Sequence, residues 1–124
     1  MGCRFPGGAS TPEEFWDILQ NGESAITEVP KDRWDIDDYY VRESDTQGKI
    51  HSPYGGFIDQ VQEFDAYFFG ISPKEITHLD PQHRLLLEVS WEALEHSGKN
   101  PQQLKGSQTG VFIGICTNDY TFRI

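Results

Sequence analysis

Two cysteines, four histidines and a row of glutamates are the residues of this chain whose types and spacing could do chemistry. Cys116 follows an apolar run, a place where nucleophiles are sometimes presented. A reactive thiol needs a helix N-terminus, a cation or a paired histidine beside it, and Thr117-Asn118-Asp119 supply no positive charge. Cys116 therefore reads as a buried or half-buried structural residue, and so does Cys3 in its glycine-rich loop. His78, Asp80 and His83 have the residue types of a metal site, but two histidines around one carboxylate need a third ligand and an open geometry. The simpler reading makes Asp80 the cap of a helix, with His83 near its first turn. His51 and His96 stand alone and read as surface residues. Glu88, Glu92 and Glu95 lie along one side of that helix. Paired carboxylates serve acid–base chemistry only when burial or proximity splits their pKa values. A solvated edge is the plainer role, with Arg84 four residues before Glu88 as one pair.

Other patterns fit binding poorly. Gly2, Gly7 and Gly8 lack the G-x-G-x-x-G spacing, and no lysine follows as in a P-loop. They suit a tight loop. Trp34, Tyr39 and Tyr40 could offer a sugar or peptide platform, but cover over a neighbouring subunit or domain is the stronger reading. No cofactor-binding, metal or catalytic residue is assigned to this chain.

The elements that would position these residues follow from punctuation and period. Thr11-Pro12-Glu13-Glu14 reads as a capping box. Phe15, Trp16, Ile18 and Leu19 give the helix behind it an apolar face, and Gly22 ends it. Ile26 to Val29 suits a short strand. Residues 31–56 form a long acidic, aromatic loop, with polar 44–49 at the surface; a loop of this length suits a segment resting on a larger body. Phe57-Ile58 suits a short extended piece. Phe64, Tyr67, Phe68 and Phe69 make an aromatic knot before a second capping box at Ser72-Pro73-Lys74-Glu75, which opens a short helix to about His78. Asp80 and Pro81 then start a long helix. Leu86, Val89, Ala93 and Leu94 recur at helical spacing, and Leu85, Leu87 and Trp91 widen that face, so the helix is expected to be buried on more than one side. Gly98 supplies its stop. Residues 109–115 read as a buried strand.

Composition narrows the classes. Twenty acidic against ten basic residues give a net charge of -10, and the pI is near 4.6. Nucleic-acid binding and adsorption to an anionic membrane both require the opposite sign. No apolar run reaches the roughly 18 to 20 residues of a membrane span, the start lacks the pattern of a signal peptide, and two cysteines are too few for a disulfide scaffold. A cytoplasmic protein is the expectation.

The wording of three blocks goes further. GCRFPGGASTPEEFWDIL, FDAYFFGISPKE and DPQHRLLLEVSWEALEHSG closely resemble the β-ketoacyl synthase (ketosynthase) domain of modular polyketide synthases. The resemblance runs from Met1 to Ile124 in the same order and at similar spacing. It implies an α/β, thiolase-like fold, of which residues 1–124 are an N-terminal fragment lacking the first strand and the catalytic portion. It also implies decarboxylative condensation of carrier-bound acyl and malonyl-type thioesters, phosphopantetheine arms of acyl carrier proteins, and a homodimer. The family's nucleophilic cysteine, in a T-A-C-S-S-S type elbow, and its two later histidines match no position here. In the family the place of His83 is often glutamine, which argues further against a metal ligand. The fragment is expected to be inactive scaffold, marginally stable or prone to aggregate, with the remainder of the domain as its partner. Two rivals stay open: a short non-enzymatic partner-binding or structural protein derived from this segment, and an unrelated acidic, aromatic binding module.

Overall fold

Capping and turn chemistry mark where the helices begin and end. The computed structural model describes residues 1–42 and 47–123, which divide into two compact units, one of residues 3–59 and one of residues 1–2 with 60–124. The expected surface loop over 44–49 therefore lies partly outside the described residues.

In the unit of residues 3–59, α1 runs from Pro12 to Asn21. Its capping box closes in both directions: Thr11 Oγ1 accepts from the Glu14 amide at 3.2 Å, and the Glu14 carboxylate accepts from the Thr11 amide at 2.9 Å. The same carboxylate takes the Ser10 amide at 2.8 Å. Gly22, at φ +65°, ends the helix. The Glu23 amide returns to the Ile18 carbonyl at 3.0 Å, a left-handed stop in which a side chain would be strained. Of the expected apolar face, Phe15 and Ile18 turn inward, whereas Trp16 and Leu19 remain exposed. Phe15 stacks on Phe5 with ring centroids 4.0 Å apart. Phe5 itself pairs with Ala9 across a turn in which Gly7 and Gly8 both take positive φ. That is the tight loop expected of these glycines.

β1 (Ile26–Glu28) pairs antiparallel with β2 (Tyr54–Gly56). The extended piece thus falls three residues before Phe57-Ile58, because Gly55 and Gly56 themselves join the ladder. Between the strands, a single 3-10 turn (Ile36–Asp38) is capped by Asp35, whose side chain accepts from the Asp37 amide at 3.1 Å. An isolated bridge joins Tyr40 to Ile50. Arg33 reaches across the long loop to donate to the Ile58 carbonyl.

In the other unit, α2 (Pro73–Ile76) is a single turn. The Ser72 hydroxyl caps it by accepting from the Glu75 amide at 3.2 Å, and the helix gives way at Thr77 rather than at His78. α3 (Pro81–His96) follows, and Asp80 Oδ1 accepts from the Gln82 amide at 2.8 Å. Its end repeats the device of α1: Gly98 takes φ +69°, and the Lys99 amide bonds to the Leu94 carbonyl at 3.0 Å. Against α3 lies the aromatic knot, which recruits Trp91. The Phe68 and Trp91 rings meet edge to face at 4.7 Å, and Phe69 stacks on Phe64 at 5.2 Å. Tyr67, expected in the knot, is 94% exposed. Gly2 lies so close to α3 that a Cβ there would fall 2.4 Å from the Val89 carbonyl oxygen.

Two expectations fail here. No residue of α3 is buried, and most positions along it are half-buried. Residues 108–118 carry no secondary structure, and the supposed buried strand is open, with Val111 76% and Phe112 96% exposed. The cause is the same in both cases. A strand exists only as part of a ladder, and the only ladder among the described residues, β1–β2, belongs to the unit of residues 3–59.

The capping box predicts a pH dependence. Hydrogen bonds from the Ser10 amide, then from Thr11, hold the Glu14 carboxyl below the usual carboxylate range. The stability it lends α1 is therefore present above the ordinary glutamate value and is lost as pH falls through the lowered one. Hydrogen exchange at the Ser10 and Thr11 amides is expected to accelerate on acidification. Glu14→Gln should flatten that dependence, and an unchanged profile in the variant would show that another group controls the helix start.

Candidate functional site

The groups singled out for chemistry are dispersed, and they are best taken unit by unit. Cys3 is buried and belongs to the small core of residues 3–59, with Ala9 and Val29. Its carbonyl accepts a hydrogen bond from Arg4 at 2.9 Å. In the long loop, the Trp34 ring meets Phe57 edge to face at 6.1 Å and stays partly exposed. Tyr39 is open to solvent, and Tyr40 is held in its bridge to Ile50. Trp34 therefore packs on its own loop, and the three rings form no common platform.

Cys116 lies in the other unit, and it is exposed, contrary to the expectation of a covered residue. It continues the unpaired run of 108–118, so nothing in a sheet covers it. The histidine ring contacts among the described residues run elsewhere, from His96 to the Met1 amine and from His78 to Thr77 and the Lys74 carbonyl. The next residue, Thr117, takes φ +73°, a left-handed conformation uncommon for a β-branched side chain.

His78, Asp80 and His83 behave as helix-end residues. Both Asp80 oxygens engage Gln82, one on its amide at 2.8 Å and the other on its side chain at 3.3 Å. His78 Nδ1 sits 3.0 Å from the Lys74 carbonyl and 3.0 Å from Thr77 Oγ1. The His83 side chain is exposed, and its amide donates to the Asp80 carbonyl at 2.9 Å. Among the described residues, no group of three or more His, Cys, Asp or Glu is placed to hold a metal ion. A shallow depression of about 380 Å³ lies beside this turn, lined by Ser72, Lys74, Glu75, His78 and Leu79. His51 is exposed, and so is His96, whose Nδ1 contacts the terminal amine of Met1 at 2.6 Å. Glu88 and Glu92 are half-buried on α3 and Glu95 is exposed, so the three do not share one environment.

One well-connected polar group has a sequence spacing that suggested only a helix-surface pair. Arg84, in the first turn of α3, sends its guanidinium back over the preceding turn. Nε donates to the Leu79 carbonyl at 2.9 Å, and Nη2 donates to the Leu79 and Ile76 carbonyls at 2.8 and 3.0 Å. The Ile76 carbonyl also takes the Leu79 amide at 3.3 Å, so the guanidinium is a second donor to it. Nη2 also lies 3.5 Å from Tyr120 Oη, which donates to the Thr77 carbonyl at 3.1 Å. Arg84 and Tyr120 together tie the 3-10 turn at Asp119–Arg123 to the α2–α3 corner. A signal existed: only four residues separate two helices, so a cation in the first turn of the second must lie near the carbonyl end of the first. Tyr120 carried no such signal.

Comparison with known proteins matches this arrangement to one family. Residues 1–123 match the family described as Beta-ketoacyl synthase, N-terminal domain. The chain is 50% identical over 121 residues to a phenolphthiocerol/phthiocerol polyketide synthase of Mycobacterium tuberculosis, covering 98% of this chain and 7% of that protein. It is 51% identical over 120 residues to a mycocerosic acid synthase-like polyketide synthase of the same species, covering 97% of this chain and 6% of that protein. Among solved structures, the oxazolomycin ketosynthase domain of Streptomyces albus superposes with a TM-score of 0.84 at 37% identity, over 92% of this chain and 20% of that one. The ketosynthase from module 6 of the bacillaene synthase of Bacillus subtilis gives 0.71 at 38% identity, over 82% and 17%. The chain thus has the fold of the N-terminal segment of a thiolase-like ketosynthase and spans a small part of the length of these relatives. No described helix is long and apolar enough to cross a membrane.

Arg84→Lys keeps the charge but cannot reproduce a fork on two carbonyls. Loss of such charge-assisted bonds costs about 1.5–3 kcal/mol, so exchange of the His78 and Leu79 amides is expected to accelerate by roughly tenfold to a hundredfold. Tyr120→Phe should give a smaller acceleration at the same amides. Equal exchange in Arg84→Lys and the parent would remove Arg84 from its role at this corner.

Proposed function

The chain belongs to the β-ketoacyl synthase family, and from that premise we propose that it is a scaffold segment of a polyketide-synthase ketosynthase. The observation that carries the reading is the match of residues 1–123 to the N-terminal domain of that family, joined to the superposition on a ketosynthase domain at a TM-score of 0.84. In the complete enzyme, an upstream acyl carrier protein delivers an acyl chain on a phosphopantetheine arm to the nucleophilic cysteine. A malonyl-type thioester on a second carrier loses carbon dioxide, and its carbanion attacks the acyl carbonyl and expels the cysteine thiolate. The product is a β-ketoacyl thioester two backbone carbons longer.

Residues 1–124 supply none of the reacting groups in this scheme. The capped helices α1 and α3 and the Arg84 corner hold the outer frame, the homodimer and carrier contacts belong to the whole enzyme, and its place is the cytoplasm. Cys116 and Cys3 are not acyl acceptors: the histidine ring contacts among the described residues run elsewhere, and Cys3 is buried. A second reading, a non-enzymatic partner-binding protein derived from this segment, is favoured by one observation, the exposed apolar run at Val111–Ile115.

Intact-mass analysis after incubation with an acyl N-acetylcysteamine thioester tests the assignment. We expect no acyl adduct on the chain, while iodoacetamide labels Cys116 readily and Cys3 slowly. Stoichiometric acylation of Cys116, abolished by Cys116→Ala, would contradict it and make the chain an enzyme in its own right.

A further inference from the structure

We infer that residues 116–123 form a strained strap, pinned by Tyr120 to the α2–α3 corner and released when that phenol lets go. Thr117 takes φ +73°. In the left-handed region Cβ crowds the following carbonyl oxygen, and a β-branched residue there is a genuine outlier. Among the described residues, the other non-glycine residue at positive φ is Gln60, whose Cβ is unbranched. Thr117 belongs to no helix or ladder that would impose this conformation, since residues 108–118 carry no secondary structure. Such a residue persists only where the structure around it over-determines its backbone.

The constraint comes from three residues downstream. Tyr120 Oη donates to the Thr77 carbonyl at 3.1 Å and lies 3.5 Å from Arg84 Nη2. Arg84 is itself braced on the Leu79 and Ile76 carbonyls. The phenol is carried on the 3-10 turn Asp119–Arg123, which the chain enters directly after Thr117 and Asn118. Thr117 thus sits at the joint between the open run and the anchored turn.

Anchor and strain oppose each other, and they are of like size. A neutral hydrogen bond shifts an equilibrium by a factor of about two to ten. Left-handed backbone at a residue with a Cβ costs a factor of about five to thirty. The Nη2 contact, at 3.5 Å, is long for a hydrogen bond and adds little. A hold this close to its load makes the strap a two-state element. On release Thr117 returns to extended backbone, and Cys116 leaves the corner in a new direction. Because Arg84 braces the corner as well, a change there reaches Cys116 through one phenol.

NMR of the 124-residue chain tests this through the amide–α-proton cross-peak within Thr117, which is strong at positive φ and weak in extended backbone. The parent should show it strong. Tyr120→Phe should weaken it and accelerate exchange of the 119–123 amides by roughly twofold to tenfold. The Val29 amide, bonded to the Pro53 carbonyl in the other unit, should exchange as in the parent and so exclude general unfolding. Thr117→Asn, whose side chain tolerates the left-handed region, should slow the 119–123 amides by roughly fivefold and offset Tyr120→Phe in the double variant. Thr117→Val, equally branched but without the hydroxyl, should match the parent. A weak cross-peak in the parent would overturn the inference, and so would a strong one that survives Tyr120→Phe. Equal exchange in Thr117→Asn and the parent would do the same, and that variant decides the matter should Tyr120→Phe unfold.

Discussion

Arg84 gathers the carbonyls of the corner where α2 gives way to α3. α2 is a single turn, too short to persist on its own hydrogen bonds, and the chain must reverse into α3 within four residues. One planar guanidinium satisfies the Leu79 and Ile76 carbonyls together, while Asp80, from the other side of the turn, satisfies an amide of α3. The corner is thus closed by a cation on the carbonyl end of one helix and an anion on the amide end of the next. Both arrangements have the sign that helix dipoles favour. Tyr120 extends the same network to the segment beyond the apolar run.

Full burial is confined to a few side chains. Among the described residues, Cys3, Ala9 and Val29 are the buried apolar side chains, and Asp80 is the buried charged one. The helices are well begun and well ended, yet their apolar faces are half covered. Such a chain has local order without a large core. The uncharged run of 106–118 is the extreme case, with Val111, Phe112, Ile113 and Ile115 all exposed.

Much of this was legible in the residues. Thr11, Pro12 and Glu14 announced α1, and Asp80 and Pro81 announced α3, because caps act within one turn and need no distant partner. The left-handed stops at Gly22 and Gly98 were legible for the same reason. The errors were non-local. β2 came three residues early because a glycine pair joined the ladder, a choice set by its partner strand. The run at 109–115 has the composition of a buried strand, but burial depends on neighbours that composition does not supply. The role of Arg84 was hidden because an i, i+4 partner at Glu88 offered a nearer explanation than carbonyls on another helix. For the candidate site, the reading of His78, Asp80 and His83 as a helix end rested on local spacing and needed little else. The exposure of Cys116 could not be read, since it follows from the same missing ladder.

The proposed scaffold role implies that the order of this chain is mostly local, with few side chains fully buried. Differential scanning calorimetry of the isolated 124-residue chain, with sedimentation to verify that it is monomeric, tests that most directly. A scaffold of this kind should give a broad, weakly cooperative transition with an enthalpy well below the ~0.7 kcal/mol per residue of ordinary globular domains near 60 °C. A sharp transition of the monomer, with calorimetric and van't Hoff enthalpies equal and near that value, would contradict it. The chain would then carry a cooperative core of its own.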